Sequence, residues 1–297
     1  MATRVETEYT KRAKYYDSID GFNIKRTPVP AHVFRAERDR ACDPAAPTGI
    51  VPLDLATTLG TPTPATTPLI LARYVRIRAG ESIDTRFVAS GEIYYVMRGA
   101  GETRRGDDRL AWDAGDVIGW PGGATSSHTA SEDALLWVAT NEPALAFEHA
   151  QAPAPGRAPI PIVHYPGDEI RRQLDAIHAR PDADALPGKS INFGCAGVHE
   201  ERTILPSFTL AMNSLAPGDV QRAHRHNAVA VTLVIAGAGC YSMIDGARIA
   251  WEPEAVMLTP PGAAHSHHNE GNERALFLIV QDGGLYYHCR TMGFSYT

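Results

Sequence analysis

Short apolar runs broken by glycine dominate the chain from residue 69 onward, and long amphipathic stretches are scarce. Runs at 69–77, 92–97, 116–120 and 134–139 have the length and the β-branched or aromatic content of buried strands. A second set recurs at 208–215, 228–235, 255–258 and 275–280. One segment departs from this pattern. In 168–179 (DEIRRQLDAIHA), Ile170, Leu174 and Ile177 recur at helical spacing, and the run stops before Pro181. Residues 1–50 are charged and then rich in Pro and Ala, which predicts an arm laid against a neighbouring domain or subunit. The run 151–161 (QAPAPGRAPIP) predicts a stiff, extended linker.

The two strand sets share a skeleton. The first contains Gly80-x5-Arg86-x-Val88-x3-Glu92-x6-Gly99, and the second contains Gly218-x5-His224-x-His226-x3-Ala230-x6-Gly237. Each is followed by a proline two residues before a glycine, Pro121-x-Gly123 and Pro260-x-Gly262. A repeat of about 140 residues means two similar domains rather than a solenoid. The division expected is an arm at 1–50, a first β domain at 51–150, a linker and helix at 151–200, and a second β domain at 201–297.

Composition narrows the function classes. Of the 297 residues 44% are hydrophobic and 21% charged, with 26 Gly and 22 Pro, as in a turn-rich globular protein. A net charge of −6 with scattered Lys and Arg argues against a nucleic-acid partner. No stretch approaches the roughly 18 apolar residues needed to cross a bilayer. The start, Met1-Ala2-Thr3-Arg4-Val5-Glu6, lacks the apolar core of a secretory signal, so a cytoplasmic protein without membrane contact is expected. Cys42, Cys195, Cys240 and Cys289 form no CxxC pair and are expected to be buried free thiols.

The candidate chemistry lies in AHRHNAVAV and LTPPGAAHSHHNEG. On a strand, residues two apart share a face, so His224 and His226 project together. His265 follows a Pro/Gly turn about forty residues later. Three neutral imidazoles of this kind can hold iron, zinc, copper, nickel or manganese.

These residues resemble the cupin barrel, whose motifs run G-x5-H-x-H-x3/4-E-x6-G and G-x5-P-x-G-x2-H-x3-N. The second segment matches at Gly218, His224, His226, Gly237, Pro260, Gly262, His265 and Asn269, and departs at Ala230 (Glu in the motif) and Glu254 (Gly in the motif). Lacking that carboxylate, it is similar to the gentisate, salicylate and 1-hydroxy-2-naphthoate dioxygenases, whose text runs PAHRH-x4-AL-x-F and LTPSWTWHDHGN. The resemblance implies an all-β fold of two tandem cupin barrels with an extended arm and a linker helix. It implies iron(II) held by His224, His226 and His265, no organic cofactor, and a small aromatic hydroxy acid and O2 as reactants. Ring cleavage would fall between the hydroxyl- and carboxyl-bearing carbons, and both oxygen atoms would enter the product.

By the same alignment His267 is the histidine beside the metal, a proton acceptor or a hydrogen-bond donor to oxygen. Thr232 stands where the family grips the substrate carboxylate with arginine, and Asn213 stands where it has a glutamine. Asp282 falls near an acidic residue of the family and is expected at the far side of the substrate ring. Gly262 and Ala264 replace two tryptophans, which implies a wider pocket. The family carries its iron in the first barrel, whereas here the histidines are in the second. In the first barrel Arg86 and Val88 take the HxH positions and Ser126 that of the later histidine, with His128 two residues beyond. Glu92 is expected to face inward and pair with Arg86 in a metal-free barrel. Tandem barrels and an arm suggest a homo-oligomer. A metal-dependent isomerase, decarboxylase or hydrolase on a small oxygenated acid, and a non-enzymatic ligand-binding protein, are the alternative readings.

Overall fold

The computed structural model describes residues 6–183, 186, 188–198 and 200–297. The first five residues, part of the expected arm and of the segment read for a signal, lie outside the described residues.

Each half of the chain is a barrel of two facing antiparallel sheets. In the amino-terminal half the six-stranded sheet runs in the order Val163–Tyr165, Val117–Pro121, Gly91–Arg98, Ala134–Thr140, Leu71–Ile77 and Gly49–Pro52. Its facing sheet has four strands, Ser82–Thr85, Ser126–Ala130, Ala100–Arg105 and Asp108–Asp113. The carboxy-terminal half repeats the plan. Its six-stranded sheet is His32–Val33, Val256–Thr259, Ala230–Ala236, Ala275–Gln281, Thr209–Leu215 and Lys189–Phe193. The facing sheet is Ala247–Ala250, Cys240–Ile244, His265–Asn269, Val220–Arg225 and Ser295–Tyr296.

The two six-stranded sheets pack back to back. Along Ala230–Ala236, Val231 and Leu233 enter the largest core, shared with Tyr74, Ile93, Tyr95 and Trp137 of the other barrel. Val234 points the other way, into a smaller core with Leu215, Trp251, Met257 and Phe277 inside its own barrel. Such strands are buried on both faces, which is why they read as continuous apolar runs rather than alternating ones. Removing Trp137 or Leu233 to alanine from this seam would cost about 3–5 kcal/mol.

The segment before the first barrel ties the halves together. His32–Val33 pairs with Met257 and Leu258 of the second barrel, and the helix Arg35–Cys42 holds Glu252 through Arg38 at 3.0 Å. The strand Gly49–Pro52 then joins the first barrel's sheet. The helix Gly167–His178 forms where the apolar spacing predicted it, burying Ile170 and Leu174. Glu254, which replaces a motif glycine, has φ of 65°, a left-handed conformation that normally favours glycine. Its side chain reaches Arg98 at 3.1 Å and its carbonyl accepts from Tyr74 Oη at 2.6 Å, so the residue clasps the first barrel. The four cysteines are free, but only Cys195 and Cys240 are buried; Cys42 is half-buried and Cys289 exposed. The expectation of four buried thiols fails at Cys289 because it lies in the last turn of an exposed terminal helix.

Candidate metal centre

His224 is the penultimate residue of the strand Val220–Arg225, His226 follows the strand, and His265 opens His265–Asn269 after a turn in which Gly262 adopts φ of 75°. The structure brings these three together. Their nearest ring nitrogens lie within 4.8 Å of one another, and all three residues are buried. The second-barrel strand carries a bulge between Gln221 and His224, so that Gln221 pairs with His267 but His224 pairs with His265. That extra residue turns His224 inward.

The backbone decides which nitrogen of each ring is free. His224 Nδ1 donates to Arg222 O at 2.8 Å, His226 Nδ1 to Ala228 O at 2.8 Å, and His265 Nδ1 to Ala263 O at 2.9 Å. With three Nδ1–H groups pinned, three Nε2 lone pairs are left. Burial lowers the pKa of His224 and His226, and that of His265 to about 3, so the rings are neutral at neutral pH. Among the described residues no carboxylate joins them, and Ala230 occupies the motif position. The donor set therefore fits a first-row divalent ion whose charge stays uncompensated by the protein.

His267 lies deeper, fully buried, with its ring 5.7 Å from that of His265 and 5.2 Å from Phe277. Trp251 Nε1 can only donate, and it donates to Ser242 Oγ at 2.8 Å. Ser242 then turns its own proton to His267 Nδ1 at 2.7 Å, a far better acceptor than Met257 Sδ at 3.8 Å. The proton of His267 is thus on Nε2, which makes no hydrogen bond among the described residues. Burial holds its pKa well below the ordinary value. In this tautomer the ring presents an N–H donor to the barrel interior.

The remaining expected residues fall into rows across the six-stranded sheet. Thr259, Ala230, Gln281 and Thr209 form the row nearest the triad, since Gln281 Nε2 sits 3.1 Å from His226 Nε2. Thr232 is buried one row deeper, level with Met257 and Ile279. Asn213 lies another row in, level with Phe277, about 13 Å along the strands from Gln281. Thr232 and Asn213 face the interior as expected, but Asn213 does not reach the triad. Asp282 does not face the interior: its Oδ1 accepts from the Val229 backbone at 2.9 Å and braces the loop that carries His226. Burial pushes its pKa up to about 6.

Sequence reasoning missed Gln281, Thr259 and Phe294. Gln281 ends an apolar run and shares parity with Phe277 and Ile279, which was a readable signal. Thr259 Oγ1 is buried beside Ala230 without a partner. The tail strand Ser295–Tyr296 pairs with His224 and Arg225, bringing the Phe294 ring to 5.1 Å from that of His224, and this long-range pairing has no local signature.

Among the described residues the first barrel has no such cluster. Arg86 is exposed and does not pair with Glu92, contrary to expectation. This strand lacks the bulge, so Thr85 pairs with Ser126 as His224 does with His265, and Arg86 turns outward. Glu92 is paired instead with Arg105 at 2.8 Å and accepts from Tyr94 Oη at 2.7 Å. Arg105 also donates to Ser126 Oγ at 2.7 Å and to Pro121 O.

Residues 212–281 match the family described as Cupin domain. Gentisate 1,2-dioxygenase from a Ralstonia species is 37% identical over 79 residues, 27% of this chain, and the chain spans only 22% of that relative's length. 5-Aminosalicylate 1,2-dioxygenase from a Comamonas species is 25% identical over 263 residues, covering 77% of this chain and 68% of the relative. A variant of salicylate 1,2-dioxygenase from Pseudoaminobacter salicylatoxidans in complex with gentisate superposes with a TM-score of 0.75 at 15% identity, over 93% of this chain and 88% of that one. At that identity the likeness is one of fold. The chain thus carries a cupin domain within the two-barrel fold of salicylate 1,2-dioxygenase, and it resembles the gentisate and salicylate type of 1,2-dioxygenase in sequence.

Proposed function

We propose that this protein is an iron(II)-dependent dioxygenase that opens the ring of a salicylate- or gentisate-type aromatic hydroxy acid and adds both atoms of O2 to it. The observation that carries this reading is the triad of neutral imidazoles, each with Nδ1–H tied to a backbone carbonyl, which leaves Nε2 as the nitrogen with the lone pair. His224, His226 and His265 would hold the ion, which when bound supplies a charged, redox-active centre able to chelate an ortho-hydroxycarboxylate. Holding both reactants at one centre makes the step effectively unimolecular.

The chain's own residues supply orientation. Thr232 and Thr259 line the interior as neutral donors, and no arginine faces it at the Thr232 position. Losing a charge-assisted contact typically forfeits about 1.5–3 kcal/mol. A substrate whose carboxylate is held mainly by the ion, bulkier or ring-substituted where Gly262 and Ala264 leave room, is therefore favoured over gentisate. His267 Nε2–H would donate to the substrate hydroxyl oxygen or to oxygen near the ion. Asn213 would meet only the far end of a long substrate. Asp282 acts by holding the His226 loop.

Residues 6–27 leave Tyr9, Tyr15, Tyr16, Ile19, Phe22 and Ile24 between 72% and 91% exposed, which supports a homo-oligomer in which this arm finds apolar cover. Among the described residues no helix is long and apolar enough to cross a membrane. The test of the reaction is an anaerobic titration of the iron(II) protein with substituted salicylates and hydroxynaphthoates, followed by oxygen. A chelate absorption band that decays to a ring-opened product, with one O2 consumed per ring, is expected. If no aromatic hydroxy acid perturbs the iron spectrum or consumes oxygen, Lewis-acid isomerisation or decarboxylation replaces this reading.

A further inference from the structure

We propose that Gln281 is a fourth protein ligand of the ion, its carboxamide oxygen taking the place that the cupin motif gives to a carboxylate. The inference rests on the reading that the triad holds an ion. Ala230, at the motif's glutamate position, is the direct register partner of Gln281 in the six-stranded sheet. In the first barrel the same pair is Glu92 and Thr140. One barrel thus sets a long acidic residue opposite a small one, and the other sets alanine opposite a long amide. The truncated side chain leaves space that a neighbour one strand over fills with an oxygen-bearing group.

Two hydrogen bonds show how the amide would engage. Gln281 Nε2 lies 3.1 Å from His226 Nε2, the nitrogen left as an acceptor because Nδ1 donates to Ala228 O. That lone pair is the one an ion would take, so metal binding displaces the amide N–H. A half-turn of the carboxamide exchanges its oxygen and nitrogen and points Oε1 at the ion. The other amide atom touches Thr209 Oγ1 at 3.4 Å, and a hydroxyl accepts from N–H as readily as it donates to C=O. The half-turn therefore keeps the Thr209 contact with its direction reversed. A carboxamide oxygen adds no charge and leaves the ion's positive charge uncompensated, while holding a coordination position until a chelating substrate needs it.

The experiment uses the full-length protein, metal-depleted and reloaded, with Gln281→Leu and Gln281→Glu. Metal affinity is read by competition with a chelator, and inner-sphere water by the water-proton relaxivity of the manganese(II)-loaded forms. Wild type binding one ion per chain establishes the triad, and failure at that step sinks the metal reading itself, whatever Gln281 does. Given that binding, Gln281→Leu should loosen the ion about tenfold to a hundredfold and raise relaxivity as water replaces the amide. Gln281→Glu should bind more tightly than wild type without added water. Equal relaxivity in Gln281→Leu and wild type, whether or not affinity changes, overturns the ligand assignment. Unfolding midpoints of the metal-free variants confirm that folded proteins are compared.

Discussion

The two barrels answer one architectural problem in opposite ways. The first is filled: Val75, Ile77, Phe87, Val96, Trp112, Trp120 and Leu136 occupy its interior. The cation it holds is a guanidinium. Arg105 contacts Ser126 and Glu92, which stand at the positions of His265 and Ala230, and lies 5.2 Å from the Trp120 ring. The second has a thinner apolar lining and a polar interior of imidazoles, hydroxyls and amides. One backbone difference sets which side chains face in. With the bulge between Gln221 and His224 the histidines face in; without it, Arg86 faces out and Thr85 takes the inward place. A side chain thus occupies in one barrel the place where the other would take an ion.

The largest expected effect tests which barrel binds. His265→Ala should reduce the metal content from one ion per chain to none and abolish turnover, while the far-ultraviolet circular dichroism stays native. Arg105→Met should leave metal content unchanged, because Glu92 alone offers no imidazole partners. An ion retained by His265→Ala, or a second ion taken up by wild type, would break the comparison.

Next is the buried pair of the first barrel. Glu92→Ala strands the Arg105 guanidinium, and Arg105→Met strands a carboxylate whose pKa burial already pushes up against the pull of Arg105. Each should cost about 3–5 kcal/mol in urea unfolding, whereas Glu92→Leu with Arg105→Met should recover most of it. Turnover per folded molecule should stay as in wild type.

Much of this was legible in the sequence, and the gaps have a physical pattern. The strands buried on both faces stood out as apolar runs at 69–77, 134–139 and 275–280, and the structure places strands at Leu71–Ile77, Ala134–Thr140 and Ala275–Gln281. The outer strands, such as Ala100–Arg105 and Ala247–Ala250, went unnamed because one face meets solvent and their apolar content is low. The triad was readable because its residues lie in two short motifs. The Arg105–Glu92 pair was not, because the spacing from Gly80 to Arg86 equals that from Gly218 to His224, and spacing cannot reveal a bulge. Contacts between segments far apart in the chain, such as Phe294 on His224, leave no local trace.

Asp282 sharpens the comparison at a smaller scale. Its first-barrel counterpart is Asn141, whose Oδ1 likewise accepts a backbone N–H, from Ser90 at 2.9 Å. Asp282 has a folded pKa raised from the ordinary 3.8 to about 6, so its ionisation opposes folding. The neutral acid's contribution is fully present below about pH 4 and is lost as pH rises through 6. Loss on the order of 3 kcal/mol is expected in the metal-free protein. Asp282→Asn keeps an acceptor for Val229 and should flatten that decline. Unfolding midpoints of both proteins between pH 4 and 7 are the measurement, and an unchanged slope in the variant would assign the pH dependence elsewhere.

The smallest effect concerns a device that both barrels contain. In the first, Trp112 Nε1 donates to Thr103 Oγ1 at 3.0 Å, and Thr103 Oγ1 meets His128 Nδ1 at 2.8 Å. His128 Nε2 then ends on Thr85 Oγ1 at 2.9 Å, so the chain closes on the protein. In the second barrel Trp251, Ser242 and His267 form the same relay, but Nε2 is left open toward the pocket. The same Trp-to-hydroxyl donation favours one tautomer in each, and only His267 has its Nε2 without a hydrogen bond among the described residues. Ser242→Ala should release His267 between tautomers and lower kcat about tenfold, near the worth of one net hydrogen bond. Ser242→Thr, which copies the first barrel's hydroxyl, should restore it. Thr103→Ala should cost about 1 kcal/mol of stability and leave kcat alone. The tautomer itself is read from the 15N shifts of His267 in the zinc-loaded protein. A kcat unchanged in Ser242→Ala, with the shifts showing a mixed tautomer, would mean that the open Nε2–H plays no part in turnover.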